Sequence, residues 1–213
     1  MKNKFSVSSP SLYNTTKEKN KIDFPYIVEP FLNGVRCYIQ KEKDEIVILT
    51  TKHEIITSCP HILSSKTIKK FFDVYPSGVL EGELYSLVKG NVFNKTIKSE
   101  NLSDEDIELI KENVNFHCSD LYIPENEELG CLARKNVLVD IISSSEEAIG
   151  DDEFYISGLM IIDGNFKCYI VNDETEIDLI SSKYKKEGFA GIILKKDEKY
   201  LTGKKTKNLK LTF

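Results

Sequence analysis

The sequence predicts an α+β fold built mostly from antiparallel sheet. Two observations carry this prediction. Runs that alternate apolar and polar residues come in neighbouring pairs joined by short turn-like segments, the pattern of hairpins. Segments with helical spacing are short and interleaved with those pairs. A chain of 213 residues with 40% hydrophobic and 30% charged content can bury a sizeable core as one domain, or at most one and a half.

Each element has its own warrant. Residues 1–22 are polar and read as a flexible lead-in to a domain over 23–213. "YIVEPFLNGVRCYIQ" and "EIVILTTKHEII" alternate as strands about the turn-like "KEKDE". "SSKTIKKFFDVY" brings Ile68, Phe71 and Phe72 to one face of a helix, and "SGVLEGELYSLV" returns to strand. "LSDEDIELIKENV" is a helix with Ser103 as N-cap and acidic residues in its first turn. A strand "VNFHCSDLYI" and a helix "CLARKNVLVDIISS" follow. "EFYISGLMII" and "NFKCYIVN" pair as strands around Asp163-Gly164. "EIDLISSKYKKEG" is a helix closed by Gly188 as its C′ residue, and "FAGIILKK" and "KNLKLTF" are the last strands.

Composition narrows the function classes. The net charge of −5 argues against a simple nucleic-acid glove, because phosphate neutralisation needs Lys and Arg. The charge is uneven: from Lys183 to Lys210 lie ten lysines against three acidic residues. Acidic residues gather instead at 100–112, 125–128 and 146–153. The basic strip could face DNA or RNA phosphate, although such a run is ordinarily a solvated face. Cys37, Cys59, Cys118, Cys131 and Cys168 show no CxxC or zinc-like spacing and read as reduced thiols of a cytoplasmic protein. The N-terminus lacks the apolar stretch of a signal peptide, and no apolar run has transmembrane length, so no membrane association is expected. The three histidines have no spacing that suggests a metal site.

The ordered series "EPFLNGVR", "LEGELY", "FHCSDLY", "GFAGIILKK" and "KNLKLTF" resembles the adenylation domain of ATP-dependent DNA ligases, especially those of tailed phages. The wider group is the nucleotidyltransferase superfamily of ligases and mRNA capping enzymes. "CLARKNVLVDI" is similar to the Arg-bearing helix that follows in DNA ligases. The resemblance runs from about Tyr26 to the C-terminus. It implies two antiparallel sheets forming a cleft, flanked by helices, with Phe31, Glu83, Lys195 and Lys210 converging there. Ligases and capping enzymes carry an OB domain after the last motif, and none is expected in this chain.

Members of this family attack the α-phosphate of ATP with a lysine amine. Phe31 occupies that position here, two residues after Glu29 and three before Gly34, and a phenyl ring has no lone pair with which to attack phosphorus. Other departures point the same way. Asn33 stands for an Asp, Ser119 for the aromatic that stacks on adenine, Ala190 for a metal-serving Glu, and Thr212 for the second phosphate lysine. Glu29, Arg36, Glu83, Lys195 and Lys210 remain as candidates for nucleotide or phosphate binding.

The resemblance and its departures imply a pseudoenzyme: an inactive ligase-like domain of viral origin, kept as a binding or regulatory subunit in nucleic-acid metabolism with a protein partner. Two alternatives stand beside it. One is a noncovalent nucleotide or nucleic-acid binder. The other is an active polynucleotide ligase using a displaced lysine, such as Lys195 or Lys210. No catalytic residue, resident cofactor or metal is expected, and ATP with Mg²⁺ is expected to bind weakly or not at all.

Overall fold

Strand pairing divides the chain between two sheets, each within its own compact unit. A computed structural model describes residues 5–7, 9–14, 22–99, 101–144, 153–162, 165–203 and 206–213. One unit comprises residues 1–32, 128–131 and 157–213, and the other residues 33–127 and 132–156. No helix among the described residues is long and apolar enough to cross a membrane.

The first unit holds a six-stranded sheet. Its members are β1 (Ser11–Leu12), β2 (Tyr26–Phe31), β8 (Leu159–Ile162), β9 (Asn165–Val171), β10 (Gly191–Lys195) and β11 (Leu209–Thr212). They lie in the order β1-β11-β10-β2-β9-β8. Tyr26, Val28, Ile192, Leu194 and Leu209 alternate onto one face and are buried there. Helix α5 (Glu174–Lys186) covers that face with Ile177, Ile180 and Tyr184. Asp173 caps the helix start, its side chain accepting from the Glu176 N–H. At the other end Gly188 has φ +86° and donates its N–H to Lys185, as a C′ glycine does.

The second unit holds β3 (Val35–Glu42), β4 (Glu45–Thr50), β5 (Val79–Tyr85), β6 (Asn115–Tyr122) and β7 (Phe154–Ile156) in the order β4-β3-β5-β6-β7. Its core gathers Ile39, Ile48, Leu80, Leu84, Phe116 and Leu121 from the strands. Helices supply the cover: α1 (Lys66–Val74) with Ile68, Phe71 and Phe72, α3 (Asp104–Asn113) with Ile110, and α4 (Cys131–Ser143) with Leu138 and Ile141. A short helix, α2 (Asn94–Ile97), precedes α3. Ser103 caps α3, as the sequence predicts, and forms a full capping box with Asp106.

The fold class is therefore α+β with mostly antiparallel sheets, as the sequence predicts, the parallel pairs being β1 with β11 and β7 with β6 at sheet edges. Two details differ from the sequence reading. The pairing of β1 with β11 places Ser11–Leu12 of the polar lead-in on a sheet edge, where the Ser11 N–H donates to Asn208. "EFYISGLMII" is not one strand. It breaks into β7 and β8 of different sheets at Gly158, whose φ of +71° takes the chain out of extended geometry. Strands β8 and β9 do pair antiparallel, but the predicted turn at Asp163-Gly164 lies outside the described residues.

Candidate functional site

The sequence-predicted residues fall into two groups, one in each unit. In the first unit, strand alternation turns Ile27, Glu29 and Phe31 away from the core formed by Tyr26 and Val28. The register of β2, β10 and β11 then sets the neighbours. Glu29, Ile193 and Lys210 form one cross-strand row, and Phe31, Gly191 and Thr212 form the next. A Cβ on Gly191 would stand 2.1 Å from the Leu211 carbonyl oxygen, so glycine is what lets β10 and β11 approach this closely.

On this face the retained charged residues are engaged with one another and with Phe31. Lys195 Nζ lies 3.2 Å from Glu29 Oε1, and the two side chains are 9% and 2% exposed. Gly158 packs over Glu29 so tightly that a Cβ there would approach the Glu29 Cγ to 2.7 Å. Lys210 Nζ stands 3.5 Å from the centroid of the Phe31 ring, a cation–π contact. Ala190 is held by the strand ends: its N–H donates to the Phe31 carbonyl (3.2 Å), and its carbonyl accepts from Phe213 (3.1 Å).

In the second unit Arg36, Glu83, His117 and Tyr155 form one cross-strand row over β3, β5, β6 and β7. The Arg36 guanidinium turns to the neighbouring Glu81, with Nε 3.0 Å from Oε1 and Nη2 on the same oxygen. Glu83 Oε2 accepts the Gly34 N–H at 2.6 Å and so braces the turn after β2. In that turn Asn33 adopts a φ of +60°, a conformation Asn tolerates better than most residues. His117 stacks on Tyr155 with centroids 5.1 Å apart and planes 13° apart, and meets Tyr85 edge-on at 5.9 Å. Burial pushes its pKa down to about 4.

Sequence reasoning missed a buried charged cluster beside this row. The register of β5 and β6 slips between Glu81 and Gly82, leaving Ser119 as a bulged residue between Cys118 and Asp120. Asp120 is gripped by Arg134 of α4 at 2.6 and 2.9 Å, a bidentate pair with both side chains under 8% exposed. Lys135, 2% exposed, donates to the Ser119 carbonyl at 3.2 Å. The signal was the Arg-Lys pair in "CLARKNVLVDI", read from the sequence as an Arg-bearing helix with no partner assigned to either residue.

The basic C-terminal strip is largely neutralised within its own unit. Lys183 bonds the Tyr169 hydroxyl, and Lys196 lies 3.5 Å from Asp23 and 4.7 Å from the Tyr26 ring centroid. Lys199 pairs with Glu128 at 2.7 Å and Lys207 with Glu198 at 2.5 Å. Lys204 and Lys205 lie outside the described residues.

No protein-family model and no curated protein matches this sequence. Solved structures do match it. The ATP-dependent DNA ligase of bacteriophage T7, in complex with ATP, superposes with a TM-score of 0.67 at 16% identity, over 97% of this chain and 67% of the T7 chain. The fold is that of ATP-dependent polynucleotide ligases. The Chlorella virus DNA ligase-adenylate is similar, with a TM-score of 0.64 at 16% identity over 98% of this chain and 67% of that one. The ligase Pmar-Lig gives 0.72 at 15% identity, covering 98% of this chain and 46% of its own, so this chain spans less than half of Pmar-Lig.

The residues present do not fit the ATP and Mg²⁺ that this ligase-type fold implies. The lysine amines at 195 and 210 are occupied by Glu29 and the Phe31 ring, and Thr212 brings no charge. Ala190 offers no ligand oxygen from its side chain, and Ser119 directs its hydroxyl to the Glu81 carbonyl (3.4 Å) and offers no ring. Among the described residues no group of three or more His, Cys, Asp or Glu side chains is placed to hold a metal ion.

Proposed function

We propose that this chain is a ligase-type nucleotidyltransferase domain without covalent chemistry, retained as a binding or regulatory subunit in nucleic-acid metabolism, with a viral origin. The observation that carries the reading is at residue 31. The position that bears the attacking amine in the resembling enzymes holds a phenyl ring, and Lys210 lies on that ring as a packing partner. Lys195 is buried in an ion pair with Glu29, so its amine is already engaged within the fold. The losses at 119, 190 and 212 add to this, since each removes a different part of nucleotide binding.

A polypeptide that keeps the fold while shedding these groups is used for its surfaces. The partner of such a subunit is a protein of the replication or repair class, with nucleic acid as a second ligand. The test is incubation of the full chain with labelled ATP or GTP and Mg²⁺ or Mn²⁺, followed by denaturation. No covalent adduct is expected. An adduct that survives denaturation would overturn the reading, and mapping it to Lys195 or Lys210 would establish a displaced nucleophile. Affinity purification from the native context, with recovery of a replication protein, is the expected companion result.

A further inference from the structure

We infer that β8 is a dimerisation edge, its open side pairing antiparallel with β8 of a second copy of this chain. The contact involves only the first unit and does not depend on the loss of covalent chemistry proposed above. β8 ends the six-stranded sheet, joined to β9 on one side and to no strand on the other among the described residues. The other sheet ends are short or covered. β1 has two residues and β7 three. β4 is longer, but the Ile48 carbonyl accepts the Ile56 N–H at 2.9 Å, and Leu49 bridges to Ile55. An edge strand carries a row of unpaired N–H and C=O groups, which soluble proteins blunt with lysine, proline or a bulge. β8 reads Leu-Met-Ile-Ile, and neither a charge nor a proline occurs from 157 to 162.

The backbone register identifies the occupant. β8 and β9 pair Ile162 with Asn165, only residues 163 and 164 lying between them, and Met160 with Lys167. Across a two-residue connection the flanking residues exchange both of their hydrogen bonds, and every second pair along the ladder does the same. Ile162 and Met160 therefore turn their backbone groups to β9, and Leu159 and Ile161 turn theirs to the open side. Those two residues stand symmetrically about Met160. A second β8 running antiparallel brings Leu159 of each copy opposite Ile161 of the other, closing two pairs of backbone hydrogen bonds about a two-fold axis at Met160. Both copies present the same patch, as an isologous dimer requires. The length matches as well. The φ of +71° at Gly158 ends the strand on one side and the connection at 163 ends it on the other. A longer strand from another protein gains no further bonds there, so a second copy of this chain is the favoured occupant.

The test is sedimentation velocity of the full chain over a range of concentration. Wild type is expected to pass from monomer to dimer between about 1 and 100 μM, as suits a small interface. Ile161→Pro removes a donor on the open side of an edge strand, where a sheet tolerates proline, and is expected to remain monomeric. Residue 160 meets its own copy at the two-fold axis, in a non-hydrogen-bonded pair with Cα atoms about 4.5 Å apart. Met160→Lys and Met160→Glu should each stay monomeric through like-charge repulsion, whereas their equimolar mixture should form a heterodimer. Circular dichroism checks that each variant folds. A wild type that stays monomeric, leaving the edge to some other partner, would overturn the inference. So would dimerisation of Ile161→Pro at wild-type concentrations, or failure of the two folded charge variants to recover dimer on mixing. None of those results bears on adduct formation, so this proposal and the loss of covalent chemistry fail separately.

Discussion

Lys210 Nζ lies 3.5 Å from the centroid of the Phe31 ring, so the amine of one strand sits on the side chain that stands where a ligase carries its nucleophile. Both side chains are half-buried, and the register sets them in adjacent cross-strand rows, with the side-chain-free Gly191 beside Phe31. A cation over a phenyl ring at this depth contributes between about 0.5 and 2 kcal/mol. In a double-mutant cycle with Phe31→Leu and Lys210→Met, urea unfolding should give a coupling in that range. Coupling within error of zero would mean the contact is incidental.

A larger effect is expected at Glu29 and Lys195. Their ion pair is buried on both sides, so removing one partner strands a charge away from water. Lys195→Met should destabilise the fold by about 3–5 kcal/mol, and Glu29→Leu by a similar amount. The double replacement should recover most of that loss, because no charge is then left unpaired. Chemical denaturation of the three variants decides it: if each single variant unfolds at the wild-type midpoint, the pair has no structural role.

These two contacts show how much of the molecule was legible in its residues. Strands β2, β3, β5 and β10 and the cap at Ser103 follow from local patterns, and the structure keeps them. The break at Gly158 was not legible, because "EFYISGLMII" has the composition of one strand and only the positive φ divides it. The motif positions were legible as residue types, but not their engagements. That Lys195 is neutralised by Glu29, and that Arg36 turns to Glu81, depend on which cross-strand neighbour each long side chain reaches. Ser119 was read as a missing ring. The bulge that gives its carbonyl to Lys135 came from a register slip that no spacing in the sequence announces.

Acid should destabilise the second unit through His117. Burial holds its folded-state pKa down at about 4, against 6.5 for an unfolded histidine. The sign follows from proton counting. Between pH 6.5 and 4 the unfolded chain binds a proton that the folded chain refuses, so stability is complete above pH 6.5 and falls as pH drops towards 4. The loss over that window is about 3 kcal/mol. His61, also pushed down by burial, adds in the same direction. His117→Phe keeps a ring against Tyr155 and removes the titration, so its unfolding free energy should vary less with pH than that of wild type. An identical pH profile for both proteins would refute the assignment.

The last prediction concerns residue 31 itself. Phe31→Lys should not restore lysyl-nucleotide formation. The new amine would arrive beside the Lys210 ammonium that now rests on the ring, and two like charges at that separation repel. The phosphorus would also be badly placed. Holding a nucleophile in line with a bound phosphate supplies about 7–11 kcal/mol of barrier lowering, and that positioning needs the base stacked and the triphosphate neutralised. Ser119 supplies no ring, Ala190 no metal ligand and Thr212 no charge. The single variant should therefore give no labelled adduct with ATP and Mg²⁺, and should melt below wild type because an apolar ring is replaced by a charge. Adding Asn33→Asp, Ser119→Phe and Ala190→Glu rebuilds the turn carboxylate, the ring and the metal ligand together and is the combination in which adduct should first appear. Robust adduct from Phe31→Lys alone would mean that the surroundings of residue 31 are still built for catalysis, and that one substitution separates this chain from an enzyme.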